Sequence, residues 1–219
     1  YYEQHGDDRA SFLASGAALE GFIDDVIATA DAVKAKLHSK KTIHLSLDEW
    51  NVWYLSRFSM GHRELSHAPE LLEDTYSTLD AVVVGDLLVS MLKHADRVRI
   101  GCQAQLVNVV APIRTQRGGV AWKQTTFFPF TETAAHHGSH VLQATVSAPQ
   151  TDTAQHGPVS DLNVVVTATP IDDDHTSIAS FLVNRGRRPL VVDLRHAGFD
   201  NLQVLDFRSI EADEVGART

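Results

Sequence analysis

The sequence has little cysteine and no long apolar run. Cys102 is the one cysteine among 219 residues, so no disulfide can close within the chain and a reducing compartment is favoured. No apolar stretch approaches the roughly 20 residues that a membrane-spanning helix needs. The first residues also lack the basic-then-apolar pattern of a signal peptide. We therefore expect no membrane association and a cytoplasmic location.

Positive charge is scarce as well. The formal net charge is -9, which opposes a broad phosphate-binding surface and hence a nucleic-acid partner. The basic cluster of the C-terminal half, Arg185, Arg187 and Arg188, is interpreted as a turn between strands. A neutral sugar suits an acidic protein better than nucleic acid does.

Common catalytic and metal-binding motifs are missing. Neither a Gly-x-Ser-x-Gly elbow nor a phosphate-binding glycine loop is present. His136, His137 and His140 could share a helical face, but no clear carboxylate or cysteine partners accompany them, so we predict surface or helix-end roles and no metal. Cys102 lies beside a strand-like run and is predicted to be a small buried hydrophobe.

The first 138 residues have the pattern of an α/β protein. The predicted segments are a helix over 17–37, a strand over 42–47, a helix over 72–93, a strand over 98–101 and a short helix over 130–138. The first helix has an apolar stripe made of Phe22, Ile23, Val26, Ile27, Ala30, Val33 and Leu37. Alternating helices and strands favour parallel pairing, with ligand sites at the carboxyl ends of the strands.

The pattern changes after residue 138. Short β-prone runs cover 141–146, 162–167, 177–183, 190–194 and 202–207. Turn-forming residues separate them, which is typical of an antiparallel sandwich. The 148–158 stretch is interpreted as a long exposed loop. We predict two domains, residues 1–138 and residues 139–219.

A carboxylate among aromatic residues is the main chemical signal. Glu49 follows the first predicted strand, and Trp50, Trp53 and Tyr54 could supply flat faces for a sugar, with Asn51 as a hydrogen-bonding group. Glycoside hydrolysis commonly uses two carboxyl groups, one of which attacks the anomeric carbon in retaining enzymes. An acidic strand-end turn packed on a core would show the same residues, so the pattern alone leaves both interpretations open.

A family resemblance adds to this signal. The segment 45–54, Leu-Ser-Leu-Asp-Glu-Trp-Asn-Val-Trp-Tyr, closely resembles the nucleophile segment of family 51 glycoside hydrolases, the α-L-arabinofuranosidases. A second stretch over 95–125, with Ala104-Gln105-Leu106-Val107-Asn108 and Trp122, resembles the eighth-strand region of that family, and the order agrees over roughly residues 1–138. The resemblance implies the C-terminal portion of a TIM-type (β/α)8 barrel, followed by a jelly-roll-like β-sandwich that is incomplete here.

The resemblance also implies residue roles. Glu49 matches the nucleophile and Tyr1 matches a tyrosine that contacts it, whereas Trp53 and Gln105 match substrate-contacting positions. A buried amide such as Gln105 can donate to and accept from sugar hydroxyls, although a loop-stabilising amide is the alternative. No cofactor and no metal are implied, and a homo-oligomer is expected by analogy.

The acid/base residue of the family is absent from this sequence. It lies in an Asn-Glu motif, and no Asn-Glu dipeptide occurs here. A whole (β/α)8 barrel also takes about 250 residues, more than the α/β part offers. We therefore expect a fragment that is inactive alone, with either an open barrel or a second chain supplying the missing half.

The leading hypothesis is a retaining hydrolase that releases terminal α-L-arabinofuranosyl groups from arabinan- or arabinoxylan-type oligo- or polysaccharides. A related glycanase of the same family is one alternative. A noncatalytic sugar-binding or assembly fragment is another, and it would lack a second carboxylate even in the full-length gene. The encoded sequence upstream of Tyr1 would separate these hypotheses.

Overall fold

A computed structural model describes residues 8–54, 67, 69, 71–212 and 217–218, and all structural statements concern these residues. The helices in this part of the chain are α1 Arg9–Leu13, α2 Ser15–Lys36, α3 Thr78–Lys93 and α4 Phe127–His136. The strands are β1 Leu45–Trp50, β2 Val98–Gln103, β3 Ile113–Thr115, β4 Ala121–Lys123, β5 His140–Leu142, β6 Gln150–Thr153, β7 Gly157–Ser160, β8 Leu162–Pro170 and β9 Thr176–Asn184.

The N-terminal part contains one complete β-α-β unit. Strands β1 and β2 pair in parallel and α3 connects them, which confirms the predicted α/β arrangement for this unit. The core lies between this sheet and the helices, with Leu19 and Ile23 of α2, Leu87 of α3 and Trp50 of β1 almost completely buried. The unit therefore gives β1 and β2 a common carboxyl edge.

Helix α3 starts later than its apolar spacing predicts. The spacing places Leu72 inside the helix, but α3 begins only after Ser77. Ser77 and Asp80 form a capping box at this start, in which the Ser77 backbone N–H donates to Asp80 Oδ2 at 2.6 Å. A capping box satisfies N–H groups that the first helical turn leaves unpaired, so it defines the helix start. Residues 71–77, which are described, form no helix. Within them the Tyr76 N–H donates to the side-chain oxygen of Gln124 at 3.0 Å.

The predicted apolar stripe of α2 is only partly buried. Ile23 is buried, but Phe22, Val33 and Leu37 are exposed, and the helix contributes Leu19 to the core instead. Helical spacing marks which residues share a face, and the neighbouring elements determine how much of that face is covered. The prediction that Cys102 is buried is wrong, because Cys102 lies on β2 and is exposed.

Antiparallel pairing dominates after α4. Strands β5, β8 and β9 form a three-stranded antiparallel sheet in the order β5-β8-β9, and β6 pairs with β7. The exposed loop predicted over 148–158 is instead this β6-β7 hairpin. Its turn is closed by Gly157 at a φ of 67° and by Thr153 Oγ1, which donates to the Gly157 carbonyl at 2.9 Å.

Two predicted strands are absent from the described structure. The runs 190–194 and 202–207 form neither helix nor strand, and side chains such as Val204 and Phe207 are exposed. A hairpin that the apolar pattern did not predict, β3 with β4, forms between β2 and α4. The change from helical to β structure falls between α4 and β5, whereas the division into two domains near residue 138 stays a prediction.

A buried polar cluster joins helices α2 and α3 to the antiparallel sheet of β8 and β9. Asp86 of α3 is completely buried and accepts hydrogen bonds from Gly16 N at 2.8 Å, Asn163 Nδ2 at 2.8 Å and Arg185 Nη1 at 3.1 Å. Burial raises the pKa of the Asp86 carboxyl, while the Arg185 charge and the hydrogen bonds act in the opposite direction. Arg185 is predicted to lie in a turn between strands. It directly follows β9, and its side chain is largely buried against α3.

The histidines of the α4 region do not converge. His136 and His137 are exposed at the end of α4 and His140 is exposed at the start of β5, as predicted. Among the described residues, no three His, Cys, Asp or Glu side chains form a group that could hold a metal ion. No helix in the described part of the chain is long and apolar enough to cross a bilayer.

Candidate active site

A bulge near the end of β1 coincides with two consecutive exposed carboxylates, Asp48 and Glu49. Between the pairs Leu47↔Gly101 and Trp50↔Gln103, β1 contains one residue more than β2, and both Asp48 and Glu49 are exposed. Side chains alternate between the two faces of a regular strand, so adjacent acidic residues would normally lie on opposite faces. The bulge lets both point away from the core, while Leu47 before it and Trp50 after it face inward.

The residues after Glu49 mostly face inward, contrary to the sugar-contacting roles suggested for them. Trp50 is buried and stacks on Phe130 of α4, with ring centroids 6.2 Å apart. The Tyr54 hydroxyl bonds to the carboxylate of Asp80 in the α3 capping box. Trp53 is half-buried, and its role as a substrate contact stays a prediction.

Asn51, suggested as a hydrogen-bonding group beside Glu49, is also buried, and its amide bonds within the protein. Its Nδ2 donates to the carbonyls of Ala104 at 2.7 Å and Val110 at 2.6 Å. Its Oδ1 accepts from the Val52 N–H at 2.8 Å and from Gln103 Nε2 at 3.3 Å. The amide therefore ties the end of β1 to the segment that follows β2.

Gln105 lies in this segment. The Ala104 N–H donates to the Trp50 carbonyl at 3.0 Å, so the chain leaving β2 stays beside the end of β1. The Ala104–Gln105 peptide is cis, and the Gln105 N–H donates to the Val110 carbonyl at 2.9 Å. The expectation of a buried amide is wrong because Gln105 is exposed. Its side chain is therefore accessible to a ligand at the same edge of the sheet as Glu49.

Glu49 and Gln105 line two different cavities at that edge. The smaller cavity, about 270 Å³, lies between α2 and β1 and is lined by Phe22, Asp48 and Glu49, among others. The larger, about 490 Å³, lies between the end of β2 and α4, with Gln105 and Phe130 in its lining. The structure thus brings Glu49 and Gln105 to one edge of the sheet without joining them in one enclosed pocket.

Tyr1 lies outside the described residues, so its predicted contact with the nucleophile is not described. Two residues are buried anchors whose contacts the sequence did not predict, namely Asn51 and Gln124. The Gln124 Nε2 donates to the carbonyls of Ala111 at 2.7 Å and Asp74 at 3.1 Å. Gln124 belongs to the stretch over 95–125 that carries the family resemblance, and this was the available signal.

The fold and the site define a class of protein in which an α/β unit with a carboxylate at the end of a strand is joined to antiparallel β structure. The model of the α-L-arabinofuranosidase C-terminal domain family matches residues 48–218. The chain belongs to this family, and its identification as the C-terminal part of a family 51 enzyme is confirmed.

Individual relatives agree with this assignment. An intracellular exo-α-(1→5)-L-arabinofuranosidase from Streptomyces lividans is 45% identical over 100% of this chain and 33% of its own length. An exo-α-(1→6)-L-arabinofuranosidase from Bifidobacterium longum is 48% identical over 81% of this chain and 34% of its own. The solved structure of AbfB, a family 51 α-L-arabinofuranosidase from Bifidobacterium longum, is 40% identical with a TM-score of 0.69, covering 76% of this chain and 34% of that one. The chain thus spans about a third of the length of these relatives.

Proposed function

We propose that this chain is the nucleophile-bearing part of a retaining α-L-arabinofuranosidase. The observation that carries the proposal is the β1 bulge, which exposes Glu49 at the carboxyl edge of a parallel sheet. Active sites of (β/α)8 barrels form at this edge. Glu49 attacks the anomeric carbon of the arabinofuranosyl group, and a general acid protonates the leaving oxygen at the same time.

The barrel itself is part of the proposal. In the described part of the chain, β1 and β2 form a sheet of two parallel strands. Parallel strands are found almost only in sheets that are covered on both faces, which two strands alone cannot build. Further strands of the full-length protein, on either side of this pair, would complete a (β/α)8 barrel, and the acid/base carboxyl would come from one of them.

The proposed substrate is an arabinose-containing oligo- or polysaccharide with a terminal α-L-arabinofuranosyl group. Relatives that are named for exo-cleavage of (1→5) and of (1→6) linkages support the exo mode. Gln105 would bind sugar hydroxyls through its exposed amide, Trp53 would add an aromatic face, and Tyr1 would contact Glu49. Several relatives are named as intracellular enzymes, which supports the same location for this protein.

Covalent trapping in the full-length enzyme tests the role of Glu49. Glu49→Gln should lower turnover of an activated arabinofuranoside by about a thousandfold or more, because the attacking oxygen is replaced by a weakly nucleophilic amide. A slow-reacting activated substrate should label wild type on the peptide that contains Glu49, as seen by mass spectrometry. Product NMR should show retained anomeric configuration.

The neighbouring carboxylate on the same bulge is the matched comparison. Asp48→Asn should still be labelled on Glu49, because Asp48 has no covalent role in the proposed mechanism. Labelling of Asp48 or of any other residue would reject the assignment. An inverted product would reject the retaining mechanism.

A further inference from the structure

The loop over 104–110, which carries Gln105, has an unusual backbone. Asn108 and Val110 have positive φ values, 62° and 46°. This left-handed region is disfavoured for any residue with a side chain and most strongly for a β-branched one such as Val110. Such conformations persist only where surrounding contacts hold them, and they concentrate at functional sites.

Hydrogen bonds to Val110 hold this conformation. The Val110 N–H donates to the Leu72 carbonyl at 2.7 Å. Its carbonyl accepts from Asn51 Nδ2 at 2.6 Å and from the Gln105 N–H at 2.9 Å. The Asn51 amide and the Gln105 backbone N–H therefore share one acceptor, which links the two residues through the Val110 carbonyl.

The side-chain amide of Asn51 makes all of its hydrogen bonds inside the protein. The residue is 1% exposed, and both Nδ2 contacts, to Ala104 and Val110, span more than 50 residues of sequence. Its position is two residues after Glu49 on the same backbone. One buried amide thereby connects the backbone of the proposed nucleophile to both ends of the loop that presents Gln105.

We propose that Asn51 is a positioning residue that holds the 104–110 loop in the geometry in which Gln105 binds the sugar. This inference rests on the proposed function and deepens it. Asn51 touches no substrate and acts through Gln105. Its loss therefore affects substrate binding and transition-state binding only as far as Gln105 contributes to them.

A double-mutant cycle in the full-length enzyme tests this dependence. Gln105→Ala should lower kcat/KM by about tenfold, the value of one ordinary hydrogen bond. Asn51→Ala should cause a loss of similar size, expressed mainly in KM. The double variant should be no more than about twofold worse than the poorer single variant, since the second change removes a contact that is already lost.

Asn163→Ala is the matched control. Asn163 is also a buried asparagine, at 3% exposure, and its Nδ2 donates to Asp86 and Ser90, away from the carboxyl edge of β1. The variant should lower the melting temperature, as Asn51→Ala should. Its kcat/KM should stay within about twofold of wild type, and its effect should multiply with that of Gln105→Ala.

Amide hydrogen exchange gives a readout that does not depend on turnover. In Asn51→Ala the Gln105 and Val110 N–H groups should exchange faster than in wild type, whereas in Asn163→Ala they should exchange as in wild type. If Asn51→Ala does not fold, Asn51→Ser keeps one donor on a smaller side chain, and it should show the same pattern with a smaller amplitude.

Several outcomes would overturn the inference. Multiplicative losses in the Asn51→Ala and Gln105→Ala double variant would mean that Asn51 does not act through Gln105. An unchanged exchange rate of the Gln105 N–H in Asn51→Ala would mean that Asn51 does not hold the loop. An unchanged kcat/KM in Gln105→Ala would mean that Gln105 makes no contact with the sugar for Asn51 to position. Failure of the proposed function is distinguished by the trapping experiment, because it appears as the absence of labelling at Glu49 in wild type.

Discussion

At the scale of single residues, the two glycines of α2 have different environments. A Cβ atom added at Gly16 would lie 2.1 Å from Asp86 Oδ2 and 2.8 Å from Ser90 Oγ, whereas one added at Gly21 would meet nothing within 4 Å. The Gly16 N–H also donates to the buried Asp86 carboxylate. The missing side chain at Gly16 therefore lets α2 approach α3 closely, and Gly21 has no such role in the described structure.

Alanine substitution should separate the two positions. Gly16→Ala should destabilise the full-length protein by about 1–3 kcal/mol, since the new methyl group overpacks a buried carboxylate. Gly21→Ala should leave stability unchanged or raise it by up to about 1 kcal/mol, because alanine has the higher helix propensity. Urea unfolding monitored by circular dichroism would measure both, and equal effects would contradict the close approach at Gly16.

At the scale of elements, the packing of α3 on β8 and β9 depends on a buried ion pair. Arg185 follows β9 and its Nη1 contacts both oxygens of Asp86, at 3.1 and 3.2 Å, while Nε donates to the Ser160 carbonyl. Removing one partner of a buried pair leaves a charge without compensation in a poorly hydrated environment. The pair therefore bridges the antiparallel sheet and the α/β unit across their contact.

Removal of the Arg185 charge should lower the stability of the folded protein. Arg185→Met keeps much of the side-chain volume and should destabilise the full-length protein by about 3–5 kcal/mol. Arg187→Met, at an exposed position two residues later, should change stability by about 0.5 kcal/mol or less. Thermal and urea unfolding would show the difference, and similar values for the two variants would argue against a structural role of the pair.

At the scale of the whole molecule, much apolar surface of this chain is exposed. Val191, Val204, Leu205 and Phe207 are almost fully exposed in the described structure. The parallel pair β1-β2 also has no third strand among the described residues. Exposed apolar patches and open strand edges promote association with other chains.

Residues 1–219 expressed alone should therefore self-associate and show no useful arabinofuranosidase activity. The second reason is chemical, because no Asn-Glu motif is present, and general acid help contributes a factor of about 100 to 10,000. Light scattering and an assay on an activated arabinofuranoside would test both parts against the full-length enzyme. Comparable turnover from a monodisperse preparation of this chain would contradict the prediction and would place an acid/base residue among its own carboxylates.

Local sequence patterns predicted the helices and strands whose formation depends on residues close together in the sequence. Helical spacing located α2 and α3 to within a few residues, except at the start of α3, and Pro129 and Gly138 located α4. The apolar runs located β1, β2, β8 and β9. The segment 45–54 also led to the correct family. These features depend on backbone propensity and on the periodicity of apolar side chains, both of which are visible within a short window of sequence.

Tertiary structure decided the environment of individual polar residues. Asn51 is buried where the carbonyls of residues 104 and 110 accept hydrogen bonds from its amide. Arg185 is buried where Asp86 lies opposite it. The bulge that exposes Glu49 exists only in the register of β1 against β2. The sequence by itself thus determined the family and most of the elements. The tertiary fold decided which polar groups are solvated and which are anchors, because a buried polar group is stable only beside partners that are distant in sequence.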